Sequence, residues 1–351
     1  MSGVAGVEIK AAIKKASAWG TAVACGANNG ILILPRSIKK DASVDVDNSL
    51  GNFWAKDGTL GPIKVEGALP AYLRYDSLDV LIAEFMGIAG APAQQGGTTA
   101  YAFLYRLDTD TDGYFATLAV NMKNYIEEHP SAKICGMIIK GEVGKPLQIT
   151  FDIMSINKVY DSVVNTLVTY NNVTYFEQAN RVRFSEGVFR MNDASAGALG
   201  AGNAIYPSSF EFSAKRKLKG EYDGQYKYTN GSNVQDMIDE PQNDGAPEFT
   251  LKLDFPRHTS TTYLAALGAD TRKKMDITFT GGLIASTYYR KFMLSFPHLQ
   301  LKNDDPADAE GAIKEPLEFN CYGATAAPTG MSYTEPFWIS GINRLTTDPL
   351  A

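Results

Sequence analysis

The sequence predicts a mainly β protein with two similar β-sandwich or barrel domains, each flanked by an α-helix, plus an extended N-terminal arm and long loops. The first observation behind this prediction is a strand signature that occurs twice, in residues 141–151 and 311–321. In both copies a glycine stands five residues before a proline, and apolar residues stand one, three and five residues after that proline. A period of two after a proline is typical of a half-buried strand whose first residue need not donate a ladder hydrogen bond.

The second observation is a short apolar run of helical character that precedes each signature. These runs are residues 78–87 and 262–268, and both close on glycine. Glycine is common at the end of a helix because it tolerates the left-handed backbone conformation. The repeated order of helix and signature in a chain of 351 residues predicts an arm (1–35), a first β domain (36–180) and a second β domain (181–351).

The other segments complete this plan. Alternating runs predict strands, and runs rich in Asp, Asn, Gly and small residues predict loops. The predicted strands are residues 63–75, 100–107, 133–140, 146–156, 210–217, 249–255, 275–281, 288–296, 298–302 and 317–322. The predicted loops are residues 36–62, 193–202 and 220–245, and residues 9–35 are interpreted as an extended arm or edge strand.

Charge and composition argue against several classes of function. The 39 Asp and Glu outnumber the 33 Lys and Arg, which gives a formal net charge of −6. A high-affinity nucleic-acid surface needs clustered cations, and the basic runs 215–217 and 273–274 are short and lack interleaved aromatic residues. Three widely spaced cysteines are too few for a disulfide framework or a zinc site. We therefore expect no cofactor.

The sequence also bears on location. No stretch approaches 18 apolar residues, and the N-terminal residues have no long apolar segment of the kind found in signal peptides. We therefore expect a protein that is made in a cytoplasm, is not exported by a signal peptide and does not contact a membrane.

One acidic motif deserves comparison with a metal site. Asp108, Asp110 and Asp112 precede Gly113 with the spacing that opens an EF-hand calcium loop, but Ala119 stands where that loop requires a bidentate Glu. The pattern favours a solvated acidic turn, with the three aspartates as a weak metal candidate. The three histidines have no catalytic motif around them, so the sequence predicts no enzyme.

Trp19 lies in an extended, glycine-flanked segment that has no helix or hairpin of its own to bury it. Its ring must therefore pack on its own domain or on a neighbouring subunit, and the sequence leaves both arrangements open.

In the order of these elements the chain resembles the tail tube (major tail) proteins of long-tailed bacteriophages, in particular their larger, internally duplicated form. The resemblance rests on the arm around Trp19, on the strand that feeds a helix in residues 69–87, and on several later segments. These later segments are residues 133–153, 210–217, 249–254 and 317–343.

This resemblance implies a structural virion protein without an active site. In that family each domain is a β-sandwich with a helix, and protomers self-assemble into rings that stack into a hollow tube for DNA ejection. With a duplicated domain, three protomers form a pseudo-hexameric homotrimer ring. The implied partners are other copies of the chain and other tail proteins such as the tape measure and the tail terminator. DNA would transit the lumen without specific binding, and the protein would be made in the bacterial host and end in the virion tail.

The resemblance also implies which residues contact other subunits. The arm is expected to touch a neighbouring subunit or ring, and loops 36–62, 193–206 and 220–245 are candidates for ring stacking. The candidate interface residues are Trp19, Gly20, Thr21, Ile31, Leu32, Ile33 and Leu34. The alternative function is a two-domain β-sandwich module that binds a ligand, with calcium held by Asp108, Asp110 and Asp112.

Overall fold

The predicted mainly β class is confirmed. The computed structural model describes residues 6–47, 54, 57–176, 180–231, 233–258, 262–304 and 313–351. Within those residues antiparallel strands dominate, and α-helix is limited to α1 (Asp79–Met86) and α2 (Thr262–Gly268). Short 3₁₀ turns occupy Gly6–Glu8, Thr169–Asn172, Phe184–Glu186 and Ala201–Asn203.

Among the described residues, the first half of the chain contains ten strands and the second half contains twelve. The first half contains β1 (Lys10–Lys15), β2 (Gly30–Ile31), β3 (Lys39–Val46), β4 (Gly58–Tyr72), β5 (Gly87–Ile88), β6 (Ala93–Gln94), β7 (Tyr101–Leu107), β8 (Ala116–Asn121), β9 (Ile126–Glu142) and β10 (Gln148–Ser155). The second half contains β11 (Gly187–Asp193), β12 (Ala204–Ile205), β13 (Ser209–Lys215), β14 (Leu218–Lys219), β15 (Lys227–Asn230), β16 (Asn233–Asp236), β17 (Gln242–Asn243), β18 (Glu248–Phe255), β19 (Lys273–Ala285), β20 (Tyr288–Asp304), β21 (Glu315–Tyr322) and β22 (Trp338–Asn343).

The two halves pair their strands in the same order. In the first half the order is β4, β10, β9, β8, and α1 lies between β4 and β8 along the chain. In the second half the order is β18, β21, β20, β19, and α2 lies between β18 and β19. β1 and β2 extend the first set beyond β8, as β11 and β12 extend the second set beyond β19. This shared order supports the duplicated plan, and the domain boundaries at 36–180 and 181–351 stay a prediction.

The halves are joined through β9. One edge of β9 pairs with β10, and its other edge pairs first with β8 and then with β13 of the second half. The β9–β13 ladder runs from Gly136 opposite Lys215 to Glu142 opposite Ser209. A second junction pairs β22 with β7. Eighteen of the described strands therefore form one hydrogen-bonded sheet. The four strands outside it, β14, β15, β16 and β17, form two separate pairs.

The core is shared in the same way. One cluster of buried apolar residues contains side chains from both halves. Phe212 on β13 is fully buried, and its ring centroid lies 5.0 Å from that of Phe296 and 4.7 Å from that of Phe337. The apolar residues after Pro146 and Pro316 are buried as the alternation predicted; they are Leu147, Ile149, Phe151, Leu317, Phe319 and Cys321.

Three predictions about local structure are wrong. The predicted loop over residues 220–245 contains the β15–β16 hairpin and the short strand β17. The predicted loop over residues 36–62 contains β3 and the start of β4, which form a long hairpin. Its Asp and Lys residues lie on an exposed hairpin, where polar side chains do not prevent strand formation. The strands predicted at 288–296 and 298–302 are one continuous strand, β20, because a proline at position 297 is tolerated within it. Residues 311 and 312 of the second signature lie outside the described residues.

A buried polar junction fixes α1 against the second half. Asp76 forms an ion pair with Arg290 on β20, with 3.1 Å between Oδ2 and Nε. Asp79 Oδ1 accepts hydrogen bonds from Tyr105 and Asn343, both at 2.8 Å. Burial of the Asp79 carboxyl raises its pKa to about 6, although these two hydrogen bonds oppose the change.

Asp79→Asn tests this junction through its pH dependence. Asp79 titrates at a higher pH in the folded chain than in the unfolded chain, so its contribution to stability is complete below the unfolded pKa and is lost as the pH rises to about 6. The amide keeps an acceptor for Tyr105 and Asn343 but never ionises. We expect the stability of the variant relative to the wild type to increase between about pH 4 and 6, by up to about 3 kcal/mol. Urea unfolding across this range measures the difference.

Asp45→Asn on the exposed face of β3 is the matched control for the loss of one carboxylate. A constant difference between Asp79→Asn and the wild type across this pH range would contradict the assignment.

Candidate assembly surfaces

The Trp19 side chain packs on its own chain. It is 9% exposed, and its ring meets the ring of Phe115 edge-on with the centroids 5.3 Å apart. The indole Nε1–H donates a hydrogen bond to the carbonyl oxygen of Ile238 at 3.1 Å. Ile156 belongs to the same apolar cluster. Trp19 therefore attaches the N-terminal segment both to the first half and to the segment that contains Ile238.

Gly20 and Thr21 form an exposed turn directly after this anchor. Gly20 has a φ of +81°, in the left-handed region that favours glycine, and its N–H donates to Ser131 Oγ at 2.8 Å. The N–H of Thr21 donates to the carbonyl oxygen of Ala18 at 3.1 Å. Both residues are accessible to a second subunit.

The apolar run at residues 31–34 is divided between core and surface. Ile31 is buried and lies opposite Ala11 of β1, whereas Leu32 is 37% exposed. Ile33 packs partly on the core, and the N–H of Leu34 donates to the carbonyl oxygen of β4 residue Pro70 at 2.7 Å. A role for this segment between subunits stays a prediction, in which the exposed Leu32 side chain is available for contact.

The three aspartates of the calcium-like motif form a turn. The N–H of Asp110 donates to Asp108 Oδ1 at 3.2 Å, and the N–H of Asp112 donates to Asp110 Oδ1 at 3.0 Å. Tyr114 donates its hydroxyl to Asp108 Oδ2 at 3.0 Å. In the described part of the chain, no group of three or more His, Cys, Asp or Glu side chains is arranged to hold a metal ion. This geometry gives the calcium-dependent alternative no support.

Two of the predicted loops lie against each other. The β3–β4 hairpin contacts the β15–β16 hairpin, which belongs to the predicted loop 220–245. Gln235 Nε2 donates to the carbonyl oxygen of Gly61 at 3.1 Å, and the Lys40 Nζ atom lies 4.2 Å from the centroid of the Tyr228 ring. Both hairpins expose apolar side chains, which include Val44, Val46, Leu60 and Val234. The third predicted loop, residues 193–206, lies beside β19 instead, where the N–H of Ala194 bonds to the carbonyl of Arg272.

A buried charge cluster holds the base of the β3–β4 hairpin. Glu127 on β9 forms ion pairs with Arg36 at 2.6 Å and with Lys158 at 3.1 Å, and its Oε1 lies 3.3 Å from Nε2 of His129. Burial alone would raise the pKa of Glu127, but the hydrogen bonds from His129 and Arg36 lower that pKa to about 2. Arg36 precedes β3 by three residues, so this cluster orients the hairpin. Sequence reasoning missed it because its members share no motif.

A second buried ion pair holds the segment that carries β15 and β16. Lys133 on β9 is 2% exposed, and its Nζ lies 2.6 Å from Glu240 Oε1. The same oxygen accepts the N–H of Gly113 at 2.7 Å. Burial lowers the pKa of Lys133, and the carboxylate of Glu240 opposes this change. The pair therefore anchors residues 220–245 to the first half.

Among the described strand edges that have no ladder partner, two lie on long strands of the shared sheet, β3 and β20. β3 pairs with β4 on one edge, and its other edge pairs with no described strand. On β20, Leu299 is the last residue opposite β19, and β21 covers the other edge as far as Asp304. The edge of β20 from Gln300 to Asp304 that faces away from β21 therefore has no strand partner among the described residues. Unpaired edges offer backbone donors and acceptors to a further strand.

The histidines are not assembled into one site. His129 is fully buried beside Glu127, His258 Nδ1 lies 3.3 Å from Glu315 Oε1, and His298 lies on β20 opposite Tyr322. None of the helices in the described residues has the length and apolarity needed to cross a membrane.

The comparisons with known proteins identify a family for this chain. The profile of a family described as phage tail tube protein matches residues 6–321. The comparison with curated proteins gives no match. Because the family match covers most of the 351 residues, the chain belongs to the phage tail tube protein family. It is therefore a structural component of a bacteriophage tail and a virion protein, in a family defined by a structural role.

Trp19→Phe tests the anchor of the N-terminal segment. Phenylalanine keeps the aromatic contact with Phe115 but removes the donor to the Ile238 carbonyl, so a buried acceptor is left without its partner. We expect the free energy of unfolding to fall by about 1–3 kcal/mol. Urea unfolding followed by circular dichroism measures the change. The control is Tyr206→Phe, which removes a polar group from an exposed aromatic residue. Equal effects of the two substitutions on the free energy of unfolding would contradict the anchoring role of Trp19.

Proposed function

We propose that this chain is the repeating subunit of a tail tube, in which three two-domain protomers self-assemble into a pseudo-hexameric ring and the rings stack into a hollow tube. The observation that carries this proposal is the β9–β13 ladder, which joins the two halves within one chain. A chain with two halves of like strand order can repeat between protomers the junction that it makes inside each protomer.

The internal junction supports a specific choice of strands for such a repeat. β13 lies on the outer edge of β18 and pairs with β9 of the preceding half. β3 lies on the outer edge of β4 in the corresponding way, and its other edge has no ladder partner among the described residues. The strand equivalent to β9 is β20, because each is third in the pairing order of its half: β9 lies between β10 and β8, and β20 lies between β21 and β19.

The free edge of β20 has the matching position. The edge of β9 that pairs with β8 continues past β8 and pairs with β13. The corresponding edge of β20 pairs with β19 and is then open from Gln300 to Asp304. The ring contact is therefore the edge of β3 on one protomer with this part of β20 on the next. The contact is heterologous, so the rotation between the two halves determines whether the ring closes.

Stacking of rings is assigned to the two adjoining hairpins. The β3–β4 hairpin lies in the first half, the β15–β16 hairpin lies between β13 and β18 in the second half, and the two hairpins contact each other. Three protomers would present six such hairpins around the ring, with exposed apolar side chains such as Val44 and Val234 available to the next ring. The remaining partners are the tape measure and tail terminator proteins. DNA passes through the lumen without specific binding, and the protein is made in the host cytoplasm before it joins the tail.

Proline substitutions on the β3 edge test the ring contact. In the regular part of β3, one of the two neighbours Lys40 and Asp41 directs its N–H toward β4, and the other directs its N–H toward the open edge. Proline has no N–H, so at the second of these positions it removes a donor from the open edge and leaves the β3–β4 ladder intact. We expect that variant to fold with the stability of the wild type and to lose at least about tenfold in the amount of assembled protein, which corresponds to about 1.4 kcal/mol per contact. Sedimentation and electron microscopy measure assembly, and urea unfolding identifies the variant that keeps its own ladder.

Lys40→Thr and Asp41→Thr are the matched controls, because threonine keeps the N–H and suits a strand. The urea experiment identifies the proline variant that keeps wild-type stability and has lost only the N–H on the open edge. If that variant assembles as well as the wild type, the proposed ring contact is contradicted.

A further inference from the structure

Seven strands of the shared sheet present one continuous outer face. β4, β10, β9, β13, β18, β21 and β20 lie side by side through consecutive ladders. Alternate residues of these strands point into the core, as Phe151, Phe212 and Phe319 do. The residues between them point away from the core and form rows that cross the strands. The outward residues of these seven strands together form the outer face.

One row on the outer face alternates in charge. Its register partners are Gln148 with Lys140, Lys140 with Glu211, Glu211 with Lys252, and Lys252 with Glu318. The Lys140 Nζ atom lies 2.7 Å from Glu211 Oε2. Glu318 is shared, since its Oε2 lies 3.8 Å from Lys252 Nζ and its Oε1 lies 2.7 Å from Lys302 Nζ.

The next row toward the other end of the strands carries no charge. Its members, joined by the same ladders, are Thr150, Ile138, Ser213, Thr250, Asn320 and Gln300. All six are partly exposed. Apart from Ile138, they are hydroxyl and amide side chains.

This composition fits a surface that faces water and a polyanion rather than a protein. The centre of a protein interface is depleted of charged residues and enriched in large apolar and aromatic side chains. Lys302 on β20 joins the charged row through its ion pair with Glu318, next to the register partner Asn303. The row then contains three lysines, which unopposed would attract phosphates and release counterions. Each lysine has a glutamate within ion-pair distance on a neighbouring strand, so the row as a whole has a charge of only one unit, three positive and two negative.

We infer that the outer face lines the lumen of the tube and that Glu211 and Glu318 keep it from binding double-stranded DNA by neutralising Lys140, Lys252 and Lys302. The inference rests on the proposed function for the existence of a lumen. It adds which face of the sheet meets the DNA and which residues let DNA slide past.

The double variant Glu211→Gln and Glu318→Gln tests the inference. Glutamine keeps the size of the side chains, and the row then carries three positive charges without a negative one. The probe is a fluorescently labelled DNA duplex of about 30 base pairs, followed by anisotropy at about 50 mM and about 200 mM salt. We expect the double variant to bind the duplex at least tenfold more tightly than the wild type at the lower salt, and to lose most of that gain at the higher salt.

The control double variant is Glu8→Gln and Glu221→Gln. These glutamates are exposed, are paired with Lys123 and Lys219, and do not belong to the outer face. The control changes the net charge by the same two units, so equal DNA binding by the two double variants would overturn the inference. Unchanged binding by Glu211→Gln and Glu318→Gln, in protein with wild-type unfolding behaviour, would also overturn it.

Electron microscopy of the same samples separates this inference from the proposed function. The outer face is exposed in the single chain, so the DNA measurement does not require assembly. Tight binding by the double variant supports the role of the two glutamates, and absence of rings and tubes from the wild type would count against the proposed function independently of the DNA result.

Discussion

The structure depends on the length of β9 and on the way its edge is shared. β9 has 17 residues, about three times the usual length of a strand. β8 covers only the first part of one edge, and β13 occupies the rest. Backbone donors and acceptors inside a sheet must be paired, so this second part of the edge requires a strand from elsewhere. The second half supplies it, and the two halves become one sheet with one core.

The same constraint gives β20 its significance. β20 also has 17 residues, and it corresponds to β9 in the pairing order of its half. Its edge beyond Leu299 has no strand partner among the described residues, while β3 presents an unpaired edge at the other side of the sheet. In the proposed ring, these two edges pair with each other between protomers, as β13 pairs with β9 inside the chain. Membership of the tail tube protein family is consistent with this proposal.

Much of the local structure could be predicted from the sequence, whereas the long-range pairing could not. The period of two after Pro146 and Pro316 predicted β10 and β21, and Gly87 and Gly268 marked the ends of the helices. Such signals arise from neighbours along the chain. The β3–β4 hairpin was missed because its segment is rich in Asp, Asn and Gly and its apolar side chains, such as Val44 and Leu60, are exposed. Part of its stability comes from contacts with β15–β16 and Tyr228.

The candidate surfaces show the same division. The sequence indicated that Trp19 needed a partner, but only the folded chain shows its ring beside Phe115 and its N–H on the Ile238 carbonyl, 219 residues away. Acidic spacing at Asp108 suggested a metal loop, yet turn hydrogen bonds occupy its carboxylates. The charged row on the outer face is invisible in the sequence because its members lie on five different strands, and only the register places them together.

The most direct test of the central claim is a helical reconstruction of the assembled protein by cryo-electron microscopy, at a resolution that separates strands. We predict rings of three protomers with pseudo-six-fold symmetry, in which β3 of one protomer pairs with residues 300–304 of the next as β13 pairs with β9 inside the chain. A ring held together by other elements, with the edges of β3 and β20 exposed to solvent, would contradict the account.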